Sequence, residues 1–289
     1  MKILVIGSSG QLGRCLQDQL IGLDMDINFS SKDQIDMLKP EQFTKKITEI
    51  GPDVIINASG YTEVDAAELN QEKAFLLNNI AVSKLADICQ EINSCLIHFS
   101  TDYVFDGFSK QPYNEEDTTS PASMYGLSKL EGELSIQSSG CRYFIFRTSW
   151  AFSEYGKNFL KRMLQLAEEK AELDIVGDQF GCPTYMHDLA KVIREILQKK
   201  NFINLPSGIY HYAGDQECSW YEFADLIFSE ANKLGFKIPY VRSVKSGDFK
   251  SRAVRPLYSS LDCSKIKDQY GIQSSNWKAG IIHTLNKLI

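Results

Sequence analysis

The chain has 289 residues, 43% of them hydrophobic and 24% charged, with a formal net charge of −6. Such a chain can bury a sizeable core in one large or two modest domains. The acidic balance argues against nucleic-acid binding, and no apolar run approaches the roughly 20 residues of a membrane span. Seven cysteines, an odd number without C-x-x-C spacing, speak against a disulfide framework and a zinc site.

The opening Met1–Ile6 is too short for a signal peptide and runs straight into a glycine loop, so the expected compartment is the cytoplasm. Lys2–Ile6 reads as a strand and Gln11–Ile21 as a helix. A short strand at Ile27–Phe29, a helix at Pro40–Ile50 and a strand at Asp53–Ala58 follow. Gln71–Ile92 is helical, Cys95–Ser100 a strand, Pro121–Ser138 a helix and Tyr143–Arg147 a strand. Continuous apolar strands alternating with helices predict an α/β fold, a Rossmann-type doubly wound parallel sheet. After Trp150 the rhythm loosens: helices at Asn158–Lys170, His187–Lys199 and Trp220–Gly235, and a strand at Gly208–Ala213. The expected organisation is a dinucleotide-binding domain over residues 1–150. Residues 151–289 would form a smaller α/β, mainly substrate-binding part, with the chain crossing back between the two.

Gly7-Ser8-Ser9-Gly10-Gln11-Leu12-Gly13 has the spacing G-x-x-G-x-x-G between a strand and a helix. Glycines there allow a tight turn and close approach of a pyrophosphate, and the helix N-terminus offers free N–H groups. A plain strand–helix turn has the same letters, so position after the first strand is what adds weight. The tip of the second strand carries Ser30-Ser31-Lys32 and no acid before Asp33. An acid would bind the ribose 2′-OH of NAD. This cluster tolerates a 2′-phosphate, which points to NADPH with NADH as the alternative, or it is a solvated loop. Asp36 and Met37 are candidates to flank the adenine.

Tyr125 and Lys129 lie four apart on a predicted helix and so share a face. A tyrosine is a poor acid at neutral pH, and a neighbouring ammonium would lower its pKa and fit it for proton transfer. Thr101, at the end of a strand, is placed to polarise a substrate carbonyl. Each feature alone is common; the three in this order on one frame are more specific.

The glycine loop resembles that of the extended short-chain dehydrogenase/reductase superfamily. So do Pro52–Ala58, Thr62–Glu68, Ser100–Phe105, Tyr125–Lys129, Phe146–Trp150, Asp178–Thr184 and Arg255-Pro256. Within it the chain is similar, over essentially its whole length, to the dTDP-4-dehydrorhamnose reductase family. The resemblance implies NADPH-dependent reduction of the C4 keto group of dTDP-4-dehydro-β-L-rhamnose to dTDP-β-L-rhamnose. It implies that Gly7, Gly10, Gln11, Leu12, Gly13, Asp36, Met37, Gly60, Tyr61 and Thr62 line the dinucleotide. Tyr125 would donate the proton, Lys129 would hold the nicotinamide ribose and Thr101 would polarise the carbonyl. Asp102 and Trp150 would touch the sugar, and Asn158, Gln179 and Arg255 the sugar or diphosphate.

Some members of the family are dimers bridged by Mg²⁺ on glutamates. At two of those positions this chain has Cys15 and His187. A hard cation prefers carboxylate oxygens, so the expectation is no metal and either a monomer or a homodimer. His187 then reads as a helix-start or surface residue, and Trp220 and Trp277 as core. Two other readings stay open: a reductase of another nucleotide-linked 4-keto-6-deoxy sugar, and a catalytically silent regulatory subunit.

Overall fold

Six short runs rich in Ile, Val, Leu and Phe pair into one all-parallel sheet in the computed structural model, which describes residues 1–200, 202–248 and 251–288. The first half contains β1 (Lys2–Ile6), α1 (Gln11–Leu20), β2 (Asp26–Ser30), α2 (Pro40–Ile50), β3 (Val54–Asn57) and α3 (Val64–Ala67). Next come α4 (Gln71–Phe75), α5 (Ala81–Glu91), β4 (Cys95–Thr101), α6 (Met124–Ser138) and β5 (Arg142–Thr148). Then follow β6 (Ala151–Phe152), α7 (Phe159–Glu169), β7 (Glu172–Val176), β8 (Phe180–Gly181), β9 (Thr184–Tyr185) and α8 (Met186–Leu197). The chain continues with β10 (Gly208–His211), β11 (Cys218–Ser219), α9 (Trp220–Lys233), β12 (Tyr240–Val244), α10 (Ser264–Tyr270) and α11 (Trp277–Leu288).

The main sheet has the order β10-β5-β4-β3-β1-β2. Helices cover both faces, which is why β1 and β3 are apolar along their length rather than alternating. On one face Leu16, Leu189, Ile193 and Ile266 pack on Val5 and Ile97; on the other Phe43, Ile47, Leu85 and Ile136 pack on Leu4 and Ile55. The order reverses at β1, with β2 on one side and β3 on the other, so a crevice opens beyond their carboxyl ends.

Residues after Trp150 serve two cores. Strand β10 joins the sheet beside β5, and Arg194 of α8 donates to the Gln19 carbonyl at the end of α1 (3.1 Å). By contrast α7, α9 and α11 build a separate core of Leu160, Phe223, Ile227, Trp277 and Ile281. No helix among the described residues is long and apolar enough to cross a membrane.

Two helices differ from expectation. Gln71–Ile92 is α4 and α5 joined through a π-helical turn, Leu76–Ile80. Helix α6 starts at Met124, not Pro121, because the Ser123 hydroxyl accepts the Gly126 N–H and caps it there.

Candidate active site

The glycine loop sits at the crevice. Gly7 has φ +82°, a left-handed conformation, and its N–H and that of Ser8 both donate to the Ser30 carbonyl. A Cβ on Gly13 would lie 2.2 Å from the Gly7 carbonyl oxygen, and one on Gly7 2.8 Å from the Ser59 nitrogen. The loop is therefore closed tightly enough that only glycine fits. Helix α1 begins after Gly10 with no acid in its first turn, so its free N–H groups at Gln11, Leu12 and Gly13 suit an anion. Beside it, Lys32, Asp33, Asp36, Lys39 and Lys46 line an open recess of about 450 Å³. Asp36 accepts the Leu38 N–H at this edge. Met37 does not flank the recess: its side chain is 3% exposed and packs with Ile35, Phe43 and Ile47. Its apolar volume is used by the core, which corrects the expectation of an adenine contact by this side chain.

Strand β4 and helix α6 bring Thr101, Tyr125 and Lys129 together at the same end of the sheet. Thr101, the last residue of β4, accepts the Tyr103 N–H and donates its hydroxyl to Asp102 Oδ1 (3.0 Å). Asp102 is buried and its Oδ2 has no partner; burial pushes its carboxyl up to about 6. Tyr125 packs edge-on to Tyr103. Burial raises its hydroxyl above the usual phenol range, and the Thr101 hydroxyl beside it opposes the rise. That differs from the expectation of a lowered pKa: desolvation outweighs the Thr101 hydroxyl, and Asp102 and Tyr103 add to the rise. Lys129 Nζ is buried under the Gly60 loop, donates to the Phe99 carbonyl (2.6 Å) and stands 3.3 Å from His98 Nε2. Burial lowers its pKa to about 8, against the pull of Glu133.

The loop Gly60-Tyr61-Thr62 is held over Lys129 by Asn78, a residue the sequence reading passed over. Asn78 Oδ1 accepts the Tyr61 N–H (2.8 Å), while its Nδ2 donates to the Tyr61 carbonyl and Ser128 Oγ (both 3.0 Å). Asn78 projects from the π-helical turn, and such turns recur at functional sites; only that irregularity could have signalled it.

Trp150, at φ +46°, lies flat on Trp220, with ring centroids 3.4 Å apart and planes 6° apart. A Cβ on Gly181 would strike the Trp150 ring at 2.7 Å, so the indole is wedged between Gly181 and Trp220. Trp220 is thus part of this half-buried platform rather than core, whereas Trp277 is core. Gln179 is buried next to Phe180, whose N–H goes to the Leu257 carbonyl.

Arg255 reaches back across the cleft to Asp65 Oδ2 (2.6 Å) and the Tyr103 hydroxyl (3.2 Å). Asn158 is engaged within the protein. Its Oδ1 caps α7 and its Nδ2 donates to Gln11 Oε1 (2.9 Å) and the Ser153 and Tyr155 carbonyls. Both ends of the amide have partners, so Asn158 ties α7 to the glycine loop rather than pointing free at a ligand.

The Mg²⁺ positions carry a different chemistry. Cys15 is fully buried and burial pushes its thiol up to about 12, so it offers no thiolate. His187 is buried, not at the surface, and stands 2.9 Å from Glu154 Oε1. Asp18 completes a trio whose ligand atoms lie within 4.8 Å of one another. The Lys287 ammonium is already on Glu154 Oε1 at 2.6 Å. A cation there would meet two carboxylates, exposed Asp18 and buried Glu154 with its unpartnered Oε2, but also an imidazole and the resident Lys287 ammonium, which makes the set a poor one for Mg²⁺.

The sequence pattern of the family described as the RmlD substrate binding domain matches residues 1–289. A dTDP-4-dehydrorhamnose reductase from Aggregatibacter actinomycetemcomitans is 39% identical over 287 residues, 97% of each chain. The crystal structure of a dTDP-4-dehydrorhamnose reductase from Clostridium acetobutylicum superposes with a TM-score of 0.93 at 34% identity, covering 100% of this chain and 99% of that one. A dTDP-4-dehydrorhamnose reductase from Bacillus anthracis, solved in complex with NADP, gives a TM-score of 0.92 at 34% identity over 99% of both chains.

Proposed function

This chain belongs to the family of the RmlD substrate binding domain, and we propose that it is an NADPH-dependent oxidoreductase reducing the C4 keto group of dTDP-4-dehydro-β-L-rhamnose to dTDP-β-L-rhamnose. The observation that carries the reading is the meeting of Thr101, Tyr125 and Lys129 beyond β4, beside a tightly closed glycine loop at the N-terminus of α1. Bound at that loop, the dinucleotide supplies the hydride. Gln11, Leu12 and Gly13 hold its pyrophosphate through backbone N–H groups, Gly7 and Gly10 shape the turn beneath it, and Gly60, Tyr61 and Thr62 lie toward the nicotinamide. The acid-free tip Ser30-Ser31-Lys32 favours NADPH, as does the NADP complex of the B. anthracis relative.

Tyr125 keeps its proton at neutral pH because its hydroxyl is desolvated, so it is in the form that a proton donor to O4 needs. Thr101 holds the carbonyl oxygen once its hydroxyl turns from Asp102. Asp102, Gln179 and the Trp150 platform seat the sugar, and Arg255 meets the diphosphate. Lys129 holds the nicotinamide ribose. Residues 151–289 supply most of the sugar side, while α8, β10 and α10 return to the dinucleotide lobe. Seven cysteines, all buried and unpaired, fit a cytoplasmic enzyme. With the Lys287 ammonium on Glu154, the chain acts as a monomer or a metal-free homodimer.

The test is NADPH oxidation by the purified protein with dTDP-4-dehydro-β-L-rhamnose, the product sugar being identified by NMR. Rhamnose is the expected product; another epimer would keep the reductase and change the substrate. NADPH binding without oxidation would overturn the reading in favour of a reductase of another nucleotide-linked sugar or a silent subunit. Tyr125→Phe should lower kcat by about 10²–10⁴-fold with NADPH affinity unchanged.

A further inference from the structure

The reading of Lys129 as the ribose-holding lysine leaves open what sets its charge, and a buried chain behind it answers that. Asn57 Oδ1 accepts both the N–H of Ser59 (3.1 Å) and its hydroxyl (2.5 Å). A backbone N–H can only donate, so this oxygen cannot be exchanged for the amide nitrogen. The Asn57 Nδ2 therefore faces His98 Nδ1 (3.2 Å), and Nδ1 must accept. A neutral imidazole carries its proton on the other nitrogen when Nδ1 accepts, which puts a hydrogen on Nε2. That hydrogen points at Lys129 Nζ, 3.3 Å away.

An amine fits this surrounding. Its lone pair accepts from His98 Nε2, one N–H goes to the Phe99 carbonyl at 2.6 Å, and another is left for a ligand. An ammonium has no lone pair and meets a donor. We propose that His98 is a positioning residue, fixed by Asn57 as the neutral Nε2–H tautomer, that weakens the Lys129 ammonium beside the proton donor.

Of the other groups around Lys129, Glu133 pulls the other way but does not outweigh burial. Glu133, one turn on along α6, is committed to Arg147 of β5 at 2.7 Å. From the π-helical turn comes only the neutral Asn78, and from the loop above only Gly60. Tyr125 lies one turn back on the same helix. His98 is wholly buried, and burial together with Lys129 holds it far below the usual imidazole range. Lys129 titrates near 8, the ammonium being present below and the amine above.

The inference rests on the proposed role of Lys129, and its test does not depend on turnover. Nitrogen NMR of ¹⁵N-labelled wild-type protein reads the His98 tautomer directly, and Lys129→Met assigns the Lys129 Nζ resonance. The expected result is Nε2–H, with no imidazolium down to pH 6, and a Lys129 midpoint near 8. In His98→Asn an amide oxygen can face Nζ, and the midpoint should rise by about one pH unit or more, a tenfold change in proton affinity. The alkaline limb of kcat/KM should rise with it. An Nδ1–H tautomer in the wild type overturns the proposal whether or not the variant folds. So does an unmoved Lys129 midpoint in a His98→Asn protein that still binds NADPH. Failure of the sugar assay with these NMR results intact would sink the assigned substrate and leave the role of His98 standing.

Discussion

Replacing Asp65 by asparagine should weaken binding of the sugar nucleotide and spare the dinucleotide. Asp65 sits on α3, just past the loop over Lys129, and gathers four donors. Its Oδ1 accepts from Ser251 Oγ (2.9 Å), Arg252 N (3.0 Å) and Ala253 N (3.1 Å), and its Oδ2 from Arg255 (2.6 Å). Partial burial pushes the carboxyl up, but the Ala253 N–H, the Ser251 hydroxyl and the Arg255 guanidinium outweigh it and bring the pKa down to about 2. Asparagine keeps one acceptor and turns an NH₂ toward the guanidinium, donor against donor.

A shift from 3.8 to about 2 would correspond to roughly 2.4 kcal/mol for a buried group. The Asp65 side chain is 44% exposed, and solvent screening leaves about 1 kcal/mol for global stability. The pKa is depressed, so this contribution is full above the unfolded value near 4 and is lost as pH falls toward 2. Misplacing Arg255 adds a loss in substrate binding of about 1–2 kcal/mol, which is a roughly 5- to 30-fold rise in KM. Steady-state kinetics at fixed NADPH, with a parallel NADPH titration, measures both. If Arg255→Ala raises KM while Asp65→Asn leaves it within about twofold, Asp65 does not position the arginine. If neither moves KM, Arg255 is not a substrate contact.

Glu133→Ala should cost about 3–5 kcal/mol in urea unfolding, because it strands Arg147, which is 3% exposed and held at 2.7 Å. Pairing Glu133→Leu with Arg147→Met should recover most of that loss, and an additive result would refute the ion-pair account. Gly13→Ala places a methyl 2.2 Å from the Gly7 carbonyl and 2.7 Å from Ser8 Cα. NADPH binding followed by fluorescence should be lost, and unchanged affinity would show that the loop relaxes. Exhaustive treatment with EDTA should leave kcat/KM and the sedimentation profile unchanged, since the Lys287 ammonium sits on Glu154. Inactivation reversed by added Mg²⁺ would refute that.

The parts of the molecule that depend on composition over a few consecutive residues were legible. β1 and β3 read as strands because a sheet covered on both faces needs a nearly continuous apolar run, and the glycine loop because close approaches at Gly7 and Gly13 leave no room for Cβ. Tyr125 and Lys129 read as a pair because four residues make one helical turn. Met37 misled because a methionine beside a cleft and one pointing into a core have the same neighbours in sequence. Trp220 misled for the reverse reason: an aromatic at the start of a helix looks like core until Trp150, backed by Gly181, is seen stacked against it.

Hidden in the sequence were the pairings that cross the fold. Arg255 and Asp65 are 190 residues apart, and Asn78 and Ser128 are 50 apart. Neither pair belongs to any period. What places them is one segment, residues 60–68. At its start Tyr61 is held at both backbone groups by Asn78. Asp65 then clamps the 251–255 strand of chain, and at its end Glu68 Oε1 accepts the Met124 N–H that opens the Tyr125 helix (2.9 Å). The loop over Lys129, the Arg255 guanidinium and the first turn of the Tyr125 helix are thus fixed to the same nine residues. A helix and a sheet can be specified by local pattern, but a site whose parts come from β4, α6 and residue 255 needs a shared brace. The short, polar, irregular α3 segment supplies it because its carboxylates can accept from backbone and guanidinium donors on several sides at once.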